Sequence, residues 1–441
     1  MMTRRAFKTA ALGTALSYSR IRGANERVRL GYIGLGNRGD QVHEAFLEHG
    51  DAQTVAVCDL REDYMDLAVR KSRANPAKYK DYRKLLENNT VDAVVICTPD
   101  HWHALMFIDA CQAGKDVYVE KPLSLTVAEG RRMVQVAEET RRVTQVGIHR
   151  RSAKFLQEAV DFVQTGGIGQ VTVAKGWHLQ NEWPNGLGNP PDEPPPKDFD
   201  WDAWLGPAPS VPYNKNRSFY NFRWFYNYSG GQLTNFGVHY MDMLRWCLGL
   251  DWPRTVTALG GKYAVRDNRE IPDTLEVLWE FDGPTLMVFS QYNANSAPGN
   301  IQGAEMELRG TKGTMYIHGN RWEVVPEAIT EVTLPARTPL DRTVERSYRP
   351  TKKPLIEPRV VKGSADTAFH ARNFLDCVKS RKKCNCDVLT GHVSTANTLI
   401  ANIALKVRAL LEWDGRAERF TNHAAANRYL SYQYRAPYKL G

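Results

Sequence analysis

The chain has 441 residues, of which 42% are hydrophobic and 24% are charged, a composition typical of a soluble globular protein that is long enough for two domains. The formal net charge is +9, but the first 24 residues hold five basic side chains and no acid, and the +4 that remains without them is too small to indicate nucleic-acid binding. No apolar run reaches the length of a transmembrane helix, so we expect no transmembrane segment.

The first 24 residues resemble a twin-arginine export signal. Arg4 and Arg5 precede a short apolar stretch at 9–17, and the small residues Gly23 and Ala24 follow it. We therefore expect residues 1–24 to be a signal and the protein to be exported to the periplasm. The alternative is a disordered basic tail on a cytoplasmic protein.

Residues 25–148 alternate between apolar runs and helical periodicity. Such alternation predicts a doubly wound parallel sheet, a Rossmann domain. The predicted strands are 28–33, 54–58, 91–97, 116–119 and 143–147, and the predicted helices are 38–49, 82–87, 103–113 and 127–140.

A glycine-rich turn follows the first strand, with the spacing Gly-x-Gly-x-x-Gly of dinucleotide-binding sites. The turn is Gly34-Leu35-Gly36-Asn37-Arg38-Gly39. Asp59 ends the second strand, 25 residues after Gly34, where a carboxylate accepts from the ribose hydroxyls of NAD and repels the 2′-phosphate of NADP. The sequence therefore predicts NAD as cofactor, with NADP as the alternative because Arg61 lies close by.

Polar residues also follow the third and fourth strands. They are Thr98, Pro99, His103, Glu120 and Lys121. Ligands bind beyond the carboxyl ends of parallel strands, so these residues are candidates for cofactor contacts and Lys121 for the nicotinamide end. The alternative for Lys121 is a lysine that extends from a strand end into solvent.

Residues 149–421 predict a second α/β domain with a mainly antiparallel open sheet and a long ordered loop near 181–212. The predicted strands are 170–179, 255–264, 275–281, 285–292, 304–309 and 314–318, and the predicted helices are 153–164, 232–247, 366–379 and 393–411. The aromatic, basic tail 422–441 is expected to form an arm, with a partner subunit as its binding site.

Seven scattered cysteines offer only the lone pair Cys384 and Cys386, without the second pair that a zinc site needs. His101 and His103 lie where nucleotide contacts explain them better than metal binding. We therefore expect reduced structural thiols and no metal.

Taken together, these motifs resemble the Gfo/Idh/MocA family of glucose–fructose oxidoreductase and inositol dehydrogenase. The segments that carry the resemblance are the glycine turn, Thr98-Pro99 with His103, Glu120-Lys121-Pro122, 147–151, 201–207, 222–224 and 230–242. The resemblance implies that Lys121 is the catalytic lysine and His239 the catalytic histidine, and that the protein is a homo-oligomer. Many members carry an aspartate four residues before that histidine, where this chain has Asn235.

Oxidation of a secondary alcohol sends a hydride to the nicotinamide and a proton to a base. His239 has a suitable unperturbed pKa for the base, and Lys121 as an ammonium would stabilise the developing alkoxide. Asn235 can orient a hydroxyl but cannot take its proton, while Asp242, three residues after His239, is placed to orient it or to cap a neighbouring group.

A mixed set of donors, acceptors and aromatic faces in the second domain suits a sugar or polyol, although ordinary core aromatics are the alternative. The set is His149, Arg150, Trp177, His178, Tyr220, Arg223 and Tyr240. The expected function is an NAD-dependent oxidoreductase of a carbohydrate hydroxyl with tightly bound NAD(H). The alternatives are a redox-neutral enzyme, either a glycosidase or a sugar transhydrogenase, and a cofactor-binding protein without activity.

Overall fold

A computed structural model of the chain describes residues 27–331 and 351–441, so the predicted export signal lies outside the described residues. Within the described ranges, no helix combines the length and the hydrophobicity that a membrane span requires. The described residues form two large sheets with helices packed against them, and a small two-stranded sheet.

The N-terminal sheet has six parallel strands in the order β3-β2-β1-β4-β5-β6. They are β1 (Val28–Ile33), β2 (Ala52–Cys58), β3 (Ala77–Tyr79), β4 (Ala93–Ile96), β5 (Asp116–Val119) and β6 (Thr144–Val146). The order reverses between β1 and β4, and the carboxyl ends of the strands leave a crevice at this switch point. The predicted Rossmann fold is confirmed.

Five helices connect these strands. They are α1 (Asn37–Leu47), α2 (Glu62–Ser72), α3 (Tyr82–Leu86), α4 (Asp100–Gln112) and α5 (Val127–Thr140). The sequence did not indicate α2, because only Met65 and Ala68 of that helix are buried and the apolar stripe is too narrow to detect. Helix α5 begins at a capping box of Thr126 and Glu129, which explains why its bounds match the sequence prediction.

The second sheet has ten strands in the order β16-β13-β12-β11-β7-β10-β9-β8-β17-β18. They are β7 (Val171–Leu179), β8 (Thr255–Gly261), β9 (Thr274–Glu280), β10 (Leu286–Tyr292), β11 (Met306–Gly310), β12 (Gly313–Ile317), β13 (Arg321–Pro326), β16 (Arg359–Lys362), β17 (Leu411–Asp414) and β18 (Arg419–Phe420). The β7–β10 pair is parallel and the others are antiparallel, which confirms a mainly antiparallel sheet. A separate hairpin joins β14 (Ala328–Glu331) and β15 (Thr351–Pro354).

Six further helices belong to the described residues of this half of the chain. They are α6 (Lys154–Gln164), α7 (Trp201–Leu205), α8 (Gly231–Asn235), α9 (Gly237–Leu248), α10 (Thr367–Ser380) and α11 (Val388–Val407). Helices α6, α9 and α11 bury apolar side chains in one cluster with the ten-stranded sheet. Helix α10 instead packs into the Rossmann domain, where the ring of Phe374 lies 6.1 Å from that of Phe46 and 5.9 Å from that of Tyr118. The two halves of the chain therefore share a hydrophobic core.

The prediction of one continuous helix over 232–247 is wrong. Helix α8 ends at Asn235 and α9 begins at Gly237, with Phe236 between them. The ring of Phe236 stacks on that of His178 at 4.4 Å, and the backbone N–H of His239 donates to the carbonyl of Phe236 rather than to that of Asn235. The break therefore leaves the Asn235 carbonyl free to accept another donor.

Residues 199–224, here called the cover segment, fold over the Rossmann domain around an aromatic cluster. The cluster contains Phe199, Trp201, Trp204, Tyr213, Trp224, Phe225 and Tyr228. The indole N–H of Trp102, on α4, donates to the Trp204 carbonyl at 2.9 Å and fixes the segment to the parallel sheet.

The C-terminal arm, residues 422–441, lies against its own chain. The backbone of Leu430 accepts from Ala128 at the start of α5, and the backbone N–H of Arg435 donates to Pro207 in the cover segment. The arm thereby connects the Rossmann domain with the cover segment.

Candidate active site

A cavity of about 620 Å³ lies beyond the carboxyl ends of β1, β2, β4 and β5. Gly34, Asp59, Thr98 and Lys121 come from the four loops that follow these strands, and all four line the cavity. The cover segment closes the opposite side with Phe199, Trp204, Phe219, Tyr220, Phe222 and Arg223. Because parallel strands end at one edge, residues distant in sequence meet in a single enclosure.

The glycine turn has the geometry that a pyrophosphate cradle requires. Gly34 has a φ of +84°, and a Cβ there would lie 2.7 Å from the backbone nitrogen of Thr98, so only glycine fits. A Cβ on Gly36 would meet nothing closer than Tyr64 at 3.7 Å, which leaves the backbone open to the cavity. Helix α1 begins at Asn37 with no side-chain cap, so its first N–H groups are available to an anion.

Asp59 is held by backbone donors. The N–H of Leu35 donates to Oδ2 at 2.7 Å and the N–H of Arg61 to Oδ1 at 2.9 Å. Each oxygen keeps a further lone pair for a ribose hydroxyl. Burial raises the pKa of this carboxyl above its usual range, against the effect of both backbone donors.

The guanidinium of Arg61 forms its contacts with residues other than Asp59. Its guanidinium pairs with Asp63 at 2.6 Å and lies 4.8 Å from the ring of Tyr64 and 5.4 Å from that of Phe219. A ribose phosphate would have to compete with this ion pair for the guanidinium. The residues present therefore fit a dinucleotide.

Most of the predicted cofactor residues line the cavity, and three lie behind its wall. Those on the wall are Gly34, Gly36, Asn37, Arg38, Asp59, Thr98, Pro99, Glu120 and Lys121. Leu35 is buried and offers its N–H to Asp59, while Gly39 packs against the Gly34 carbonyl. His103 is buried with its two ring nitrogens each 2.8 Å from a carbonyl, of Pro122 and of Thr98, so it joins two loops of the site.

The amine of Lys121 lies across the domain junction from Asn235. Nζ donates to the side-chain Oδ1 of Asn235 at 2.6 Å and to its backbone carbonyl at 3.2 Å. That carbonyl is available because the helix breaks at Phe236. Burial lowers the pKa of Lys121 to about 8, so the amine is mainly protonated at neutral pH and loses its charge just above it.

His239 lies next to a second histidine and is not among the residues that line the cavity. Its ring centroid is 5.3 Å from that of His149, and neither Nδ1 has a hydrogen-bond partner within the protein. Burial lowers the pKa of His239 well below its usual range, and the positive charge of Lys121 acts in the same direction. The ring is therefore neutral at neutral pH, the form that can accept a proton.

Asp242 does not orient His239. Its carboxylate accepts from the guanidinium Nε of Arg151 at 2.8 and 3.0 Å and from Ser394 at 2.6 Å. Asp242 therefore pairs with a buried arginine. This agrees with the second of its two predicted roles, the capping of a neighbouring group.

The predicted substrate residues fall into two groups. Tyr220 and Arg223 line the cavity, with the guanidinium 3.9 Å from the ring centroid. Several of the set carry a buried polar atom without a protein partner: Nδ1 of His149, Nη1 of Arg150, Nε2 of His178 and Nε of Arg223. Burial, assisted by Arg223, lowers the pKa of His178 to about 4, so this ring is neutral as well.

Trp177 and Tyr240 are not on the cavity wall. Tyr240 belongs to the hydrophobic core of the second domain, where its ring lies 6.3 Å from that of Phe289. Trp177 is buried beneath Gly299, with the amine of Lys175 5.3 Å from its ring. The positions of both residues agree with the alternative interpretation given above, that they are ordinary core aromatics and not substrate ligands.

The structure adds residues that sequence reasoning did not select. Asp100 lines the cavity as a buried carboxylate, accepts from the Ser229 hydroxyl at 2.5 Å, and has a pKa raised by burial. Its place next to Pro99 at the end of β4 was a signal that could have identified it. Tyr438 of the arm also lines the cavity, and no local signal pointed to it. Within the described ranges, no group of three or more His, Cys, Asp or Glu side chains is arranged to hold a metal ion.

Two family models match the chain. One, described as an oxidoreductase family with an NAD-binding Rossmann fold, matches residues 28–148. The other, the C-terminal alpha/beta domain of an oxidoreductase family, matches 154–284 and 349–440. Together they cover well over half of the sequence.

Solved structures share the fold. A levoglucosan dehydrogenase in complex with NADH and levoglucosan has a TM-score of 0.63 at 16% identity, over 88% of this chain and 99% of that chain. The scyllo-inositol dehydrogenase of Lactobacillus casei, with bound NAD(H) and scyllo-inositol, has a TM-score of 0.60 at 17% identity, again over 88% and 99%. At these identities the likeness concerns the fold alone.

Curated relatives match a shorter stretch. The alpha-N-acetylgalactosaminidase of Shewanella oneidensis is 39% identical over 125 residues, which is 26% of this chain and 27% of that protein. The chain therefore matches about a quarter of the length of this relative.

The contact between Lys121 and Asn235 can be tested by replacing the amide with a carboxylate. In Asn235→Asp, a negative charge 2.6 Å from the amine should raise the pKa of Lys121 above about 8. An activity that needs the ammonium is present below this pKa and lost above it, so the basic limb of the pH–rate profile should move to higher pH. The exposed Asn75→Asp adds the same charge away from the site as a control.

An unmoved basic limb in Asn235→Asp would show that this contact does not set the protonation of Lys121. A sharp gain of activity at neutral pH would show instead that the asparagine is a defect and not a specialisation.

Proposed function

The chain belongs to the Gfo/Idh/MocA oxidoreductase family, and from this premise we propose that it oxidises or reduces a secondary hydroxyl of a sugar, glycoside or polyol with NAD as cofactor. The observation that carries the proposal is that a single cavity holds the glycine turn, Asp59 and the amine of Lys121. The first two suit a dinucleotide, and the third suits the oxygen of a reacting alcohol.

Each residue has a distinct part in this reaction. The glycine turn and the start of α1 would hold the pyrophosphate, and Asp59 would accept from the adenosine ribose. When bound, the nicotinamide supplies the hydride acceptor or donor. Lys121 as an ammonium donates to the substrate oxygen and stabilises negative charge on it, while neutral His239 takes the hydroxyl proton. Asn235 orients the Lys121 amine.

The substrate class follows from the unpartnered polar atoms. Buried polar groups without partners are costly, so several in one region indicate a ligand or water that satisfies them. Arg223 contributes one such atom on the cavity wall, and His149, Arg150, His178 and His239 each contribute one outside the cavity lining. A molecule with several hydroxyls on one ring matches this pattern, and the two solved structures that share the fold hold such molecules.

We further propose that NAD(H) stays bound through the catalytic cycle. Residues 1–24 carry a twin-arginine-like sequence, and that route moves folded proteins, so an exported enzyme would carry its cofactor with it. A nicotinamide reduced outside the cytoplasm has to be reoxidised in place, by a second substrate or by a later step on the same sugar.

A redox-neutral glycosidase is the second candidate function. The observation in its favour is the match to an alpha-N-acetylgalactosaminidase, which spans only a quarter of either protein. Such an enzyme would use the same Lys121 and His239 and would release a cleaved sugar with no change in the redox state of the purified protein. A sugar–sugar transhydrogenase is the other form of this closed cycle.

A panel of sugars, glycosides and polyols tests the proposal and separates its forms. The purified protein should change the absorbance of its nicotinamide with at least one substrate, whereas a closed cycle yields product without net reduction.

Lys121→Ala and His239→Ala should each lower turnover by about 10²- to 10⁴-fold and leave nucleotide binding intact. The exposed Lys382→Ala is the matched control. Near-normal turnover in either site variant would contradict the role assigned to that residue.

Cofactor choice depends on Asp59. The wild type should bind NAD more tightly than NADP, and Asp59→Ser should narrow the difference because the carboxylate no longer accepts from the ribose or repels a phosphate. Titration of both nucleotides against the wild type, Asp59→Ser and the control Asp66→Ser measures the preference. Tighter binding of NADP by the wild type would mean that Arg61 leaves Asp63 and that its attraction for the 2′-phosphate outweighs the repulsion by Asp59.

Export can be tested with the N-terminus alone. Residues 1–30 fused to a reporter should direct it to the periplasm, and replacing Arg4 and Arg5 by lysine should prevent this, since the twin-arginine route depends on that pair. Cell fractionation measures the result. A reporter that stays in the cytoplasm, together with a nucleotide that dialyses freely from the mature protein, would favour a plain dehydrogenase.

A further inference from the structure

One end of the cavity is aromatic and receives a ring from the C-terminal arm. Tyr82, Trp102 and Tyr438 all line this region. The ring of Trp102 lies 5.9 Å from that of Tyr82 and 5.4 Å from that of Tyr438, with an edge-to-face angle in both pairs. The guanidinium of Arg83 lies 4.6 Å from the Tyr82 ring and 5.9 Å from the Tyr438 ring. Flat apolar surfaces next to a cation suit a nucleobase.

The order of the strands places this end at the adenine side of a bound dinucleotide. Asp59 ends β2 and Lys121 ends β5, on opposite sides of the switch point between β1 and β4. Tyr82 begins α3 just after β3, the strand next to β2 at the edge of the sheet. A dinucleotide with its reactive ring at Lys121 and its ribose at Asp59 would therefore direct its adenine toward the aromatic end.

The arm is anchored on both sides of this end. Toward the Rossmann domain, Leu430 accepts from the backbone of Ala128, and the hydroxyl of Tyr434 donates to Glu129 at the start of α5. Toward the cover segment, Arg435 donates from its backbone to Pro207 at 2.9 Å and from Nε to Gly206 at 3.0 Å. Arg435 also forms an ion pair with Asp202 of the cover segment.

The cover segment also contacts the Rossmann domain directly near the cavity mouth. The carbonyl of Trp204 accepts from Trp102 at 2.9 Å and lies 3.1 Å from a ring nitrogen of His101. Arg435 adds a tether from a different part of the chain. Opening the cavity by moving the cover segment would break the Arg435 contacts as well as those of Trp204.

We propose that the C-terminal arm fastens the cofactor in place: Tyr438 packs on the adenine end of the bound dinucleotide, and Arg435 ties the cover segment shut over it. The nucleotide then leaves only when the arm detaches. This inference rests on the proposed binding of NAD(H) and adds a residue, Tyr438, that decides how slowly the cofactor exchanges.

Dissociation of NADH measured by fluorescence in the full-length protein tests the arm. Tyr438→Ala should speed dissociation by about tenfold, the factor that one base stacked on an aromatic ring typically contributes, and Tyr438→Phe, which keeps the ring, should stay near the wild-type rate. Arg435→Ala should also speed dissociation by releasing the cover segment. Gln433→Ala changes an exposed side chain of the same arm that does not line the cofactor cavity and serves as the control.

Binding of two fragments locates the effect along the nucleotide. Tyr438→Ala should weaken ADP-ribose, which contains the adenine end, and leave nicotinamide mononucleotide unchanged. Equal dissociation rates for the wild type, Tyr438→Ala and Arg435→Ala would overturn the inference while NADH binding itself survives. A wild type that binds neither NADH nor ADP-ribose would overturn the proposed function instead. Melting temperatures show whether each variant is folded. If Tyr438→Ala is not folded, the dissociation rate of Arg435→Ala decides the test.

Discussion

The hydrogen bonds from the Lys121 amine to Asn235 join the two domains at the point where chemistry is expected, and much of the site depends on them. The lysine follows a Rossmann strand, while the asparagine ends a helix of the second domain. A buried ammonium needs acceptors, and here one of them is a backbone carbonyl that a continuous helix would have used internally. The helix break at Phe236 and the protonation of Lys121 are thus parts of one arrangement.

Electrostatics around this contact favour an amine and an imidazole with different charges. Burial lowers the pKa of both groups, but His239 loses its proton far below neutral pH whereas Lys121 keeps most of its positive charge there. The charge of the lysine reinforces the neutrality of the histidine. A proton donor and a proton acceptor therefore act on each other electrostatically, an arrangement that suits hydride transfer to or from an alcohol.

Enclosure of the cavity comes from parts of the chain that are far apart in sequence. The cover segment follows the first strand of the second sheet, the arm comes from the C-terminus, and α10 returns to complete the core of the Rossmann domain. A cavity with walls from three regions excludes water better than an open crevice, and exclusion of water strengthens each polar interaction inside it. The predicted domain boundaries follow changes of sequence pattern, and helix α10 of the second half of the chain packs into the core of the Rossmann domain.

The amino-acid sequence by itself determined five of the six Rossmann strands, all but β3, together with the glycine turn, the position of Asp59 and the lysine after β5, because strand runs, turn glycines and capping boxes act over a few residues. The tertiary structure alone decided which of the polar and aromatic side chains meet. Asn235 and Lys121 are separated by 114 residues and Tyr434 and Glu129 by 305, distances over which no periodic pattern carries information.

Trp177 and Tyr240 are residue types that are common in sugar sites, but both are buried away from the cavity, because packing and not residue type decides which side chains line it. The helix break is a further example. The spacing of apolar residues predicted a continuous helix, but the chain breaks at Phe236, whose ring stacks on that of His178, and the Asn235 carbonyl accepts from Lys121.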